Sequence, residues 1–287
     1  MTPAPDATNI TQILWAASVR NRSLSDRIVA GRAARFTEQS VFPSHVTSWL
    51  HEGFTLTDIR EQAKAGGVPI TILDPFTRWL PGWRLPAYLN EDERAFQITD
   101  EDTFFHYAEE LQVESMSVID GIGQRNDFSD VVAAFQRMCD RAAELNMRVQ
   151  LEFMPFGSIP DIATGWEVIR RAGRENGGLV LDTYHYFRGY PDPTTLAHMP
   201  GDRIFTVQLS DATEFPQGGS LYNDQMHYRV APGEGAFPLG DLIRTLAQNS
   251  GLARVGPELF SDAADALAPG PLGIHLGATN RRALGLP

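Results

Sequence analysis

The chain has 287 residues, 43% of them hydrophobic and 21% charged, enough apolar content to fill a large core and to exclude a disordered chain. Its net charge of −12 argues against a nucleic-acid partner, whose phosphates call for basic patches. A single lysine, Lys64, counts against Schiff-base chemistry, and a single cysteine, Cys139, excludes an intramolecular disulfide and reads as a buried structural thiol.

In chain order, eight short apolar runs read as strands: Ile10–Ala17, Arg35–Phe42, Pro69–Asp74, Ser115–Asp120, Arg148–Phe153, Leu179–Thr183, Ile204–Leu209 and Arg254–Leu259. Amphipathic segments fill most of the gaps. Thr57 to Gly66 reads as a helix, and Asp127–Leu145 places Val131, Phe135, Met138, Ala142 and Leu145 at helical spacing, with Asn146 as a stop signal. Ile162–Ala172 and Pro238–Asn249 behave alike. This alternation predicts an α/β chain forming a single (β/α)8 TIM barrel over residues 1–287. A doubly wound sheet would usually carry a Gly-rich turn after its first strand, and Ala16-Ala17-Ser18-Val19 is not one. Phe76–Asp100, rich in Pro and Trp, and Thr213–Gly235 exceed the minimal plan, as does the shorter Pro191–Pro200. Such extended βα loops belong at the C-terminal face. Trp79 and Trp83 in the first of them read as a hydrophobic lid or as a subunit contact of a homo-oligomer.

Four consecutive strands each end on an oxygen donor: Glu152, Asp182, Gln208 and Glu258. Polar groups there are costly to bury without a partner, and one divalent cation would satisfy all four. An oxygen-rich ligand set favours a hard ion, Mn2+ or Mg2+, over Zn2+. Asp211, close behind Gln208, reads as a hydrogen-bonding support for a neighbouring loop. His45, His51, His106, His198 and His275 follow no ligand spacing and read as surface or helix residues.

The runs Leu151-Glu152-Phe153-Met154-Pro155, Leu181-Asp182-Thr183-Tyr184-His185 and Val207-Gln208-Leu209-Ser210-Asp211 carry a resemblance. Together with Arg229-Val230-Ala231-Pro232-Gly233-Glu234-Gly235 and Glu258 they resemble the xylose isomerase-like superfamily, in its sugar phosphate isomerase/epimerase branch of inosose dehydratases and ketose 3-epimerases. The resemblance is strongest from Phe128 to Asp262. It implies that Glu152, Asp182, Gln208 and Glu258 hold one metal, that His185 stands beside the substrate and that Arg229 meets substrate oxygens. His227, in the same rim loop, is a further candidate for substrate binding. One departure stands out: many ketose epimerases have His on the seventh strand, where this chain has Gln208.

Such a site suits proton transfer next to a metal-polarised carbonyl; the resemblance implies Glu152 and Glu258 as base and acid, and His185 is an alternative acid for expelling a hydroxyl. The expected activity is therefore a metal-dependent isomerase or epimerase on a small polyhydroxylated hydroxy-carbonyl compound. A lyase on the same site, either a dehydratase or a carbon–carbon or carbon–glycoside cleaving enzyme, is the alternative, and a non-catalytic barrel subunit ranks behind both. No run of about eighteen apolar residues occurs, and Met1 to Asn9 lacks a basic-then-apolar leader pattern. A cytoplasmic protein that engages no membrane is the expectation.

Overall fold

The computed structural model describes residues 10–87 and 89–287; the stretch Met1 to Asn9, read above for a leader pattern, lies outside them. Eight parallel strands, β1 (Thr11–Leu14), β2 (Glu38–Val41), β3 (Ile70–Phe76), β4 (Ser115–Val118), β5 (Arg148–Glu152), β6 (Gly177–Asp182), β7 (Ile204–Leu209) and β8 (Arg254–Pro257), close into a barrel in sequence order. The ring is shut by β8 lying parallel to β1, with Gln12 opposite Val255. Helices alternate with the strands around it. The fold is thus the expected (β/α)8 TIM barrel.

All eight expected strands form, mostly shorter at their ends. Arg35 cannot begin β2, because it ends the helix Leu24–Ala34 in a left-handed conformation at φ 63°. Phe42 does not extend β2 either, since it leads into the helix Pro43–His51. Asn146 takes φ 56° just past the helix Phe128–Ala143, as a stop signal should. Helix starts carry their own caps: Thr55 and Asp58 form a reciprocal box, and Asp161 accepts from the Thr164 amide at 2.7 Å. Lys64 lies in the helix Leu56–Ala65, and Cys139 is buried, its thiol pushed up to about 12 by that burial and the nearby Asp140 charge.

The apolar face of these helices packs on the outside of the barrel in one large cluster, to which Leu151, Leu181, Val207 and Val255 contribute from the strands. A small second cluster of Ile13, Trp15, Ile72 and Val180 fills the barrel interior. Trp79 is not a lid or a subunit contact. It is buried at 1% exposure, stands edge-on to Phe135 and donates its indole N–H to the Ile119 carbonyl at 2.9 Å. The extended loops after β3 and β7 do carry short helices, Glu91–Gln97 and Leu221–His227, whereas Pro193–His198, in the shorter segment expected at the C-terminal face, packs between the helices Ile162–Ala172 and Leu239–Gln248 on the way to β7. Among the described residues no helix is long and apolar enough to cross a membrane.

Candidate active site

The strand register alone puts the four expected donors on one face. Asp182 is paired with Gln208, and directly paired residues of parallel strands point the same way. Glu152 is paired with Val180, two residues before Asp182, and Gln208 is paired with Gly256, two before Glu258. With a side-chain period of two, all four face the barrel interior. They are buried there: Glu152 is 6% exposed, Asp182 and Gln208 are 0%, and Glu258 is 3%.

Asp182 is the hinge of the arrangement. Its Oδ1 accepts from the Tyr184 amide at 2.6 Å and so caps the helix Thr183–Arg188. Its Oδ2 accepts from Arg229 Nη1 at 2.7 Å and lies 3.5 Å from His185 Nε2. His185 Nε2 in turn is 3.3 Å from Glu152 Oε1. Ligand atoms of Glu152, Asp182 and His185 all lie within 4.8 Å of one another, close enough to share one ion. His185, expected beside the substrate, therefore stands inside the donor group: the single helical turn that follows Asp182 folds its ring back over the carboxylates.

Gln208 and Glu258 form the other half. Gln208 Nε2 donates to Glu258 Oε1 at 2.8 Å, and Arg229 Nη1 donates to Glu258 Oε2 at 3.1 Å. Gln208 Oε1 is buried with no protein partner, as is His185 Nδ1. A buried amide oxygen costs free energy unless it meets a donor or a cation, so the donor chemistry fits a divalent ion near Gln208.

Asp74, two residues before the end of β3, is a fifth member that the sequence reading passed over. It is 2% exposed and accepts from the Ser117 hydroxyl. Burial, then the Glu152 charge, pushes its carboxyl up to about 7. Burial and the adjacent Asp182 charge likewise hold Glu258 well above the usual carboxylate range. At Asp182 burial works in the same direction, but Arg229 and then His185 outweigh it, and its carboxyl lies below the ordinary value. A signal for Asp74 was present, since Pro69–Asp74 ends on a carboxylate as the later strands do.

Arg229 comes from the long loop after β7, and that loop is built to hold it. Asp211 supports it as expected: Oδ1 accepts from the Ala212 and Phe237 amides at 2.8 and 2.9 Å, and Oδ2 from the Gly233 amide at 3.1 Å. Gly235 passes so close that a Cβ there would sit 2.3 Å from Asp211 Oδ1. Asp224, in the helix Leu221–His227, is fully buried and accepts from the Tyr184 hydroxyl at 2.7 Å, Arg188 Nε at 3.0 Å and the Gln217 amide at 2.7 Å. These bonds tie the β7 loop to the turn after β6. His227 is not part of the carboxylate group; its ring is exposed and pairs with Asp262 at 3.0 Å.

Over 84% of its length the chain is 27% identical to a 3-dehydroshikimate dehydratase of Pseudomonas aeruginosa, covering 36% of that protein. It is 28% identical to an inosose isomerase of Halalkalibacterium halodurans over 45% of each chain. The chain thus spans about a third to a half of the length of these curated relatives. The crystal structure of the IOLI protein with a bound zinc atom superposes with a TM-score of 0.79 at 17% identity, covering 96% of this chain and 98% of that one, which shows the shared fold. The sequence profile described as xylose isomerase-like TIM barrel matches residues 35–274, and the chain belongs to that family.

Proposed function

We propose that the protein is a divalent-metal-dependent enzyme that removes the proton next to the carbonyl of a ring hydroxy-ketone and expels water from the product of that step. The buried group of Glu152, Asp182 and His185, with the unpartnered Gln208 oxygen beside it, carries the reading. Mn2+ fits a set of carboxylates, one amide and one imidazole best, with Mg2+ next. When bound, the ion supplies a Lewis acid that polarises a substrate oxygen.

The chain's own residues divide the remaining work. Both oxygens of Glu258 already accept hydrogen bonds, from Gln208 and Arg229, so that carboxylate is oriented and restrained. Among the described residues Glu152 makes one ion-pair contact, with His185 Nε2 at 3.3 Å, and is the group we assign to taking the proton. His185, hydrogen-bonding distance from Glu152 and with Nδ1 free of a protein partner, is the group to protonate a departing hydroxyl. The buried walls keep water from competing for the carbanion.

Dehydration is preferred over isomerisation because the dehydratase relative matches 84% of the chain and the isomerase relatives 45% to 61%. Dehydroshikimate and inosose are both ring ketones bearing hydroxyls, so the first proton transfer is common to the two outcomes. The test is incubation of the Mn2+-loaded protein with 3-dehydroshikimate and with an inosose in D2O, followed by NMR. Loss of water, abolished in Glu152→Gln, is expected. Deuterium uptake with no loss of water would turn the reading to isomerisation, and neither exchange nor turnover with either compound would overturn it.

A further inference from the structure

Arg229 was expected to reach for substrate, yet its charge is taken up by two carboxylates of the candidate ion site. Nη1 bonds Asp182 Oδ2 at 2.7 Å and Glu258 Oε2 at 3.1 Å, and the residue is 1% exposed. Asp182 Oδ1 is committed to the Tyr184 amide at 2.6 Å, so Oδ2 is the oxygen left to face an ion. It is also the Asp182 oxygen near His185 Nε2, at 3.5 Å. An ion shared by Glu152, Asp182 and His185 would therefore meet the guanidinium across one carboxylate oxygen, where two cations repel strongly.

The way Arg229 is held allows it to yield. Its guanidinium carbon lies 4.5 Å from the centroid of the Tyr184 ring and 5.1 Å from that of Phe260. A flat cation against aromatic faces keeps most of its attraction while it slides along them. The remaining tether, Nε to the Gln225 carbonyl, is long at 3.2 Å.

From these contacts we propose that Arg229 is a resident counter-ion which competes with a divalent cation for Asp182 and Glu258, so that ion binding displaces its guanidinium from the carboxylates. The inference rests on the reading that this site takes such an ion. Its consequence is linkage: a guanidinium relieved of two carboxylates has donors for an oxygen-rich ligand, so ion and substrate each tighten the other.

The experiment titrates Mn2+ alone into chelator-treated protein by calorimetry, for the native chain, Arg229→Met and Arg229→Lys. Removing a charge-assisted contact with the ligand oxygens should tighten Mn2+ binding roughly ten- to a hundredfold in Arg229→Met, while Arg229→Lys, which keeps the charge, stays near the native value. In the native chain labelled at its arginine side chains, saturating Mg2+ should shift one buried guanidinium resonance; this measurement stands even where Arg229→Met fails to fold without metal. Equal or weaker Mn2+ binding by a folded Arg229→Met, or an arginine spectrum unmoved by bound Mg2+, overturns the competition while leaving the metal reading intact. A native chain that binds neither ion overturns both.

Discussion

Asp224→Ala asks whether the long β7 loop is part of the cooperative barrel. The substitution deletes an acceptor for three donors: the Tyr184 hydroxyl at 2.7 Å, Arg188 Nε at 3.0 Å and the Gln217 amide at 2.7 Å. Removing one partner of a buried ion pair costs about 3–5 kcal/mol, because the other charge stays behind unpaired. Arg188 has a 7% exposed side chain and keeps the Thr213 and Glu214 carbonyls at 2.8 and 3.2 Å, which offset part of that cost. A loss of about 3 kcal/mol is therefore expected for Asp224→Ala, and roughly half of it for Asp224→Asn, which can still bond the tyrosine. Urea unfolding of the metal-free protein measures both, with an unchanged slope as the sign that the whole barrel unfolds together. A loss below about 1 kcal/mol, together with new proteolytic cleavage between residues 213 and 235, would refute the claim that Asp224 couples this loop to the barrel.

The metal reading predicts about one divalent ion per chain on elemental analysis of protein purified without chelator, and reduced occupancy in Glu152→Gln and Asp182→Asn; full occupancy in both would move the site elsewhere. The pH dependence of the metal-free protein has a definite sign. Asp74 is pushed to about 7 by burial and then by Glu152, so its contribution is fully present below about pH 4 and is lost as pH rises through 7. The Asp74 part of the fall is at most about 4 kcal/mol across that window, with the raised Glu258 acting in the same direction, and Asp74→Asn should flatten the slope; an unchanged slope would mean that another group sets it. Because His185 stands in the donor group, His185→Ala is assayed at saturating Mn2+: a dehydratase should then still exchange the substrate's α-proton with solvent while releasing product about 10²- to 10⁴-fold more slowly. Undiminished product release would remove His185 from the role of acid.

The fold was legible because barrel strands advertise themselves twice, by apolar runs and by a polar residue where each run meets the cavity. Leu151-Glu152 and Leu181-Asp182 show the pattern, and the register converts it into one shared face. Less was legible wherever the outcome depends on packing between distant segments. Trp79 looks like loop decoration in a Pro-rich stretch, but only the approach of Phe135 and the Ile119 carbonyl makes it core. His185 follows Asp182 by three residues in either a strand extension or a helical turn, and the two place its ring in different positions; the Asp182 cap selects the turn. Asp224 carries no local sign of its role, since its partners Tyr184 and Arg188 lie some forty residues away in the chain. Asp74 was missed for a different reason: it lies outside the half of the chain that carries the motifs.

Charge balance ties these observations together. Asp74, Glu152, Asp182 and Glu258 are four buried carboxylates, and within hydrogen-bonding range of them one permanent cation, Arg229, is found among the described residues. Ionised carboxylates away from water are costly unless paired, so a rim with a surplus of them must recruit protons or a cation. The raised Asp74 and Glu258 are the proton answer to that deficit, and a divalent ion would be the other. The two answers exclude each other, because ligands must give up protons to bind a metal. Arg229 settles which oxygens remain in contention. By holding Asp182 Oδ2 and Glu258 Oε2 it lets the metal-free barrel fold around an acidic interior, and it leaves Glu152 with the least restrained oxygens in the group. On the proposed reading, that asymmetry would make Glu152 the base: a carboxylate that neither caps a helix nor neutralises an arginine can accept a proton from substrate without dismantling the site.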